Sequence, residues 1–215
     1  MDELTALESR ETSRLVALSD GVVAIAITLL VIDITVPRAP ADASSAVLAA
    51  SVLAQWDEFL GFVLSFFVIG LYWVMHRRVF TYIETQNRTV VWLNLVFLLL
   101  VAFLPYATSL FSTYPTQFGV SFYAAVMAAT GYSLAVLWLY AAREELVHSG
   151  IYSRALQIQI ARYFITPTFF LFSIVLAVWS PLLAIGSWFL LFPINGAFEA
   201  RISSALPETE SRSAT

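Results

Sequence analysis

The sequence predicts an all-α integral membrane protein of six transmembrane helices with both termini cytoplasmic. Three observations carry this. The 215 residues are 60% hydrophobic and 12% charged, with a mean hydropathy of +0.80, too little polar surface to cover a soluble domain of this size. Six stretches approach the roughly 20 apolar residues that a helix needs to cross the hydrocarbon core with its backbone bonded internally. They are too long and alternate too weakly for barrel strands. The positive charges, finally, fall almost entirely on one side of the six spans they define.

Helix one is expected from Arg14 to Val36, where Pro37 and Pro40 stop it. The preceding MDELTALESRETS is acidic, unlike the basic start of a secretory signal, so the first apolar run is expected to stay as a membrane helix. Helix two runs from Trp56 to His76 and helix three from Thr89 to Thr113, with Pro115 in the connection that follows. Helix four, Phe118 to Ala142, carries Ser121, Ala125, Ala129 and Ser133 at i+4 spacing, a small-residue face open to close helix packing. Helix five spans Ile160 to Trp179 and contains Pro167. Helix six spans Pro181 to Phe198, capped by Ser180, with Pro181 in its first turn and Pro193 near its end. Residues 1–200 thus form one six-helix domain, and the polar segment 201–215 is expected to be a disordered tail.

All eleven basic side chains are arginine. Ten of them (Arg10, Arg14, Arg77, Arg78, Arg88, Arg143, Arg154, Arg162, Arg201 and Arg212) lie at the termini, in the second and fourth connections or at adjoining helix ends, leaving only Arg38 opposite. The positive-inside rule then puts both termini in the cytoplasm, which six spans satisfy. With a net charge of -4 and no basic tract to follow a phosphate backbone, nucleic acid is not an expected partner. The absence of cysteine removes disulfides, thiolate metal sites and cysteine nucleophiles. Only His76 and His148 are present, with no His-Glu-x-x-His and no Gly-x-Ser-x-Gly, so neither an enzyme nor a resident metal or cofactor is expected. His148 reads as a solvated loop residue.

Polar residues inside such spans call for a functional or structural reason. Asp20 lies in the first turns of helix one, next to Ser19 and close to Arg14; helix two ends with Trp73, His76 and Arg77; and helix three carries Asn94. Three helices therefore bring Arg14, Ser19, Asp20, Trp73, His76 and Asn94 to one cytoplasmic level, as an interhelical hydrogen-bond network. Two alternatives stand beside it: headgroup snorkelling by Arg14 and His76, and a proton relay through Asp20 and His76. Further along helix one, Ile25, Leu29 and Ile32 share a face with Thr28. By periodicity alone this stripe reads as ordinary core packing, with a pore lining as the lesser alternative.

The string RLVALSDGVVAIAITLLVIDI, Arg14 to Ile34, closely resembles the Arg-x-x-x-Phe-Ser-Asp-Gly helix of the transmembrane protein 175 family, potassium channels named for endosomes and lysosomes in animals and also found in prokaryotes. SFFVIGLYWVMHRRVF, Ser65 to Phe80, and NLVFLLLVAFLPY, Asn94 to Tyr106, resemble the family's next two helices. The specific resemblance covers about the first half of the chain; helices four to six match in kind. Leu18 departs from the family's Phe, removing an aromatic contact but no polar group.

The resemblance implies a homotetramer in which helix one of each subunit lines a central pore. Ile25, Leu29 and Ile32 then form hydrophobic rings, with Ile25 the narrowest, and Thr28 tunes ion choice. Asp33 at the outer mouth is either an acidic ring that concentrates cations or an exposed helix-end carboxylate. No Thr-Val-Gly-Tyr-Gly filter is present, so the expected permeation is of potassium with a modest preference over sodium. The expected partners are a cell-membrane bilayer, further copies of the chain and permeating potassium or other monovalent cations. The competing reading is a secondary transporter, proton-coupled through Asp20 and His76, which the apolar midplane of helix one disfavours.

Overall fold

The computed structural model describes residues 3–38, 40, 42–147 and 153–197, with side chains described within 11–38, 40, 42–147 and 162–197. His148 and the 201–215 tail lie outside the described residues. The regular structure of the described residues is helical, apart from one isolated bridge, Ile83 with Val147.

Helix one is α1, Glu3–Leu29, which tightens into a 3-10 turn over Leu30–Asp33. It starts in the acidic leader and ends short of the expected Val36, because Ile34 is already extended. A helix absent from the sequence reading follows: α2, Ser45–Leu53, capped by Ser44, whose hydroxyl accepts from the Val47 amide, and with no buried residue. The second predicted span is α3, Trp56–Tyr82, longer than expected from the Arg77-Arg78 pair. Arginine is a good helix former, so the pair marks depth rather than a stop. The helix ends where Ile83 turns extended and the Glu84 amide donates to Leu146 O at 2.9 Å.

The third and fourth spans are α4, Arg88–Thr113, and α5, Gln117–Arg143. Asn87 caps α4 by accepting from the Val90 amide at 3.0 Å and donates its own amide to Tyr140 Oη at 2.9 Å, which ties the start of α4 to the end of α5. The fifth span is α6, Ser153–Trp179, beginning before the expected Ile160. The sixth opens with α7, Pro181–Trp188, with Ser180 as cap and Pro181 in the first turn, and resumes over 191–197 after a turn. Among the described residues, five helices are long and apolar enough to cross a membrane, and Pro181–Ala197 forms a shorter apolar one.

In lipid, apolar burial no longer drives helices together, so close packing and hydrogen bonds must. The core is centred on α5, which packs along α4 and α6 and has 61% of its span buried. The close approach uses Ala124, Ala128, Gly131 and Ala135, a face one step round from the expected one, on which Ala125 and Ala129 are exposed. At Gly131 a methyl group would lie 2.9 Å from both Pro167 Cβ and Tyr72 Oη. Tyrosine hydroxyls lock the bundle: Tyr72 donates to Met127 O at 2.7 Å and Tyr163 to Met75 O at 2.8 Å. Ser65, Thr108 and Tyr123 join α3, α4 and α5 through hydroxyl contacts of 2.9 and 3.0 Å.

Candidate functional site: the two faces of helix one

α1 packs chiefly on α3 and α4, and 28% of its apolar span is buried, the least of the five long apolar helices among the described residues. Leu15, Ser19, Val23, Ala26 and Leu30 form the buried stripe, repeating every three or four residues. The opposite side is apolar and open: Ile25 is 60% exposed, Leu29 42% and Ile32 69%, with Thr28 exposed among them. The Thr28 hydroxyl donates to Ile25 O at 2.9 Å. Its proton is thereby occupied, and its oxygen lone pairs remain on the open side.

Midway along α1, before the open stripe, the polar residues meet. Ser19 Oγ donates to Leu15 O at 2.9 Å, so it must accept from Asn94 Nδ2, at 3.0 Å. That orients the Asn94 amide and leaves its Oδ1 to accept from His76 Nε2 at 2.8 Å. His76 therefore carries its proton on Nε2. Its Nδ1 meets no hydrogen-bonding group among the described residues. The ring is fully buried, stacked on Phe97 at 5.1 Å and tilted on Phe80 at 4.6 Å, which excludes a headgroup position for it. Beside this chain, Trp73 Nε1 donates to Asp20 Oδ1 at 2.8 Å. Arg77 lies over the indole face, 5.4 Å from its centroid. Five of the six expected residues thus hold α1 to α3 and α4, in two adjacent units. Arg14 is exposed and stands outside both.

Asp33, at the far end of α1, is exposed and borders a cavity of about 360 Å³ walled by Thr35, Glu58, Thr108, Ser109 and Ser112. Glu58, which nothing in the sequence singles out, also borders this cavity, and its Oε2 is buried without a hydrogen-bond partner among the described residues. Its only signal was the Asp57-Glu58 pair in the first turn of α3, which reads as ordinary dipole complementarity at a helix start.

The family described as "Endosomal/lysosomal potassium channel TMEM175" matches residues 14–105. A potassium channel of Streptomyces collinus is 38% identical over 138 residues, 62% of this chain and 66% of that protein. A potassium channel of Chamaesiphon minutus is 37% identical over 139 residues, 63% of this chain and 68% of that protein. The chain belongs to the TMEM175 family. The crystal structure of a lysosomal potassium-selective channel TMEM175 homolog from Chamaesiphon minutus superposes with a TM-score of 0.75 at 31% identity, covering 90% of this chain and 98% of that one. The segment matched to the TMEM175 family holds α1 from Arg14 on, α2, α3 and α4 as far as Pro105. It therefore contains both hydrogen-bonded units and the open stripe, while α5 and α6 enter through the likeness of the whole fold.

Proposed function

We propose that this chain is a potassium-permeable, leak-type cation channel of a cell membrane, a homotetramer with cytoplasmic termini in which helix one of each subunit lines the pore. The observation that carries the reading is the two-sidedness of α1: one face is fastened to α3 and α4 by hydrogen bonds, and the other presents Ile25, Thr28, Leu29 and Ile32 to whatever lies beside the protomer. The potassium-channel relatives and the potassium-selective structural homolog support the same reading. Four isoleucine side chains around an axis leave a narrow, dry constriction, a barrier to ions even without complete steric closure. Rings at Ile25 and Ile32 stand roughly 10 Å apart at the helical rise. Thr28 offers hydroxyl oxygens between them, a poor substitute for stacked carbonyls, so preference for potassium over sodium is modest. Asp33 raises cation concentration at the outer mouth.

The test is ion flux from potassium-loaded liposomes containing the purified protein, wild type against Ile25→Asn. Potassium flux moderately above sodium flux, rising several-fold in the variant, is the expected result. No flux from either folded protein, or a reversal potential that follows pH rather than the potassium gradient, would overturn the channel reading, the latter in favour of a proton-coupled carrier.

A further inference from the structure

One face of α3 stays open along most of the helix. Val63, Phe67, Gly70, Val74, Arg77 and Thr81 recur at steps of four and three; Gly70 is half-buried and the others are exposed. The face is apolar as far as Val74 and basic beyond it. It is hollow at both ends. A wholly apolar cavity of about 290 Å³ lies where Val63 and Phe67 meet Phe189 and Phe192, with the Phe67 and Phe192 rings edge-on at 6.1 Å. A second cavity, of about 280 Å³, is lined by Trp73, Val74, Arg77, Arg78, Thr81 and Tyr82. Between them Gly70 leaves a gap in the row of side chains, where an added methyl would meet nothing within 4 Å. From Phe67 to Arg77 the helix rises roughly 15 Å, about half the hydrocarbon thickness of a bilayer and so the depth of one leaflet.

We propose that this face binds an anionic phospholipid, its phosphate held by Arg77 and Arg78 and one acyl chain laid along Val74 and Gly70 to Phe67. The two cavities have the chemistry of the two ends of such a molecule and the separation that one leaflet allows. Arg77 is already positioned by the Trp73 ring at 5.4 Å, and the Thr81 hydroxyl donates to Arg77 O at 3.0 Å, so the Arg77 guanidinium is the leading phosphate donor. Trp73 meets Arg77 with its face and Asp20 with its indole N–H. A bound headgroup therefore sits one side chain away from the bond that seats helix one. The site depends on the proposed function only for naming this leaflet cytoplasmic, the leaflet rich in anionic lipid.

Native mass spectrometry of the full chain in detergent tests it without reference to ion flux. Phosphatidylglycerol and phosphatidylcholine of identical acyl chains are titrated in, with glycerol 3-phosphate as a soluble headgroup. The expected result is preferential retention of phosphatidylglycerol, weakened roughly tenfold or more in Arg77→Gln/Arg78→Gln. Retention should also weaken several-fold in Gly70→Leu, which keeps both arginines and fills the groove. Equal retention of the two lipids would overturn the proposal. So would full displacement by glycerol 3-phosphate, which would make this a site for free phosphate. A double variant that keeps its lipid but changes oligomeric mass would assign the face to a second copy of the chain.

Discussion

Asn94 is the hinge of the hydrogen bonds that seat helix one, and its replacement makes a quantitative test. Asn94→Leu removes the bonds to Ser19 and His76, of 3.0 and 2.8 Å, each worth about 0.6 kcal/mol in a membrane bundle. It also strands the His76 Nε2 proton in a fully buried site, an orphan donor costing about 1–3 kcal/mol. The sum is about 2–4 kcal/mol. Ser19 contributes little to it, because its hydroxyl keeps Leu15 O. His76→Phe leaves Asn94 Oδ1 without its donor and preserves ring packing on Phe80 and Phe97, so it should cost about 1–3 kcal/mol. With both partners replaced by apolar groups neither orphan exists, and the double variant should be more stable than the two single losses imply by about 2–6 kcal/mol, both orphan penalties being removed. Unfolding of the four proteins in mixed detergent micelles, followed by circular dichroism, reads the cycle. Additivity within about 0.5 kcal/mol would show that the two side chains are not coupled and refute the His76–Asn94 bond as a link between α3 and α4.

Two further outcomes follow from the packing and the electrostatics. Gly131→Ala places a methyl 2.9 Å from Pro167 Cβ and Tyr72 Oη, and it should destabilise the protein by about 1–3 kcal/mol in the same micelle assay; an unchanged midpoint would mean that α5 and α6 can separate freely there. Asp33→Asn should lower single-channel potassium conductance several-fold in dilute salt and hardly at all at about 1 M, where the Debye length shrinks to about 3 Å. An equal loss at both concentrations would place Asp33 away from the ion path.

The membrane class and the level at which the polar residues gather were legible because a polar group inside an apolar helix is conspicuous. Ser19, Asp20, Trp73, His76 and Asn94 could each be placed by counting turns. Their pairing could not. Which partner Asp20 takes depends on the azimuth of α3 about its axis, and it takes Trp73 at 2.8 Å, whereas Arg14 lies on the open side of α1. Helix four offered two runs of small residues, and nothing local distinguishes Ala125 and Ala129 from Ala124 and Ala128; only the position of α6 decides which run is buried. α2 escaped notice because nine residues are too few for a span, although its Ser44 cap stood in the sequence. The cavity beside Asp33 is assembled from α1, α3 and α4, so no single window of sequence contains it.

Helix one is tethered at two points. Midway along it, Ser19 and Asp20 are tied to Asn94 and Trp73; past its C-terminal end, Gln55 Nε2 donates to Thr35 O at 2.7 Å. Roughly 20 Å of helix lies between these points, and over that length its fastened face is apolar. A rigid twist of the helix about its axis would tear both moorings, whereas a change of rotamer at Ile25 tears neither. In the proposed tetramer the low-energy motion at the constriction is therefore the hopping of four isoleucine side chains between staggered wells, on the picosecond to nanosecond scale. Such a pore flickers on that scale instead of swinging open on a hinge.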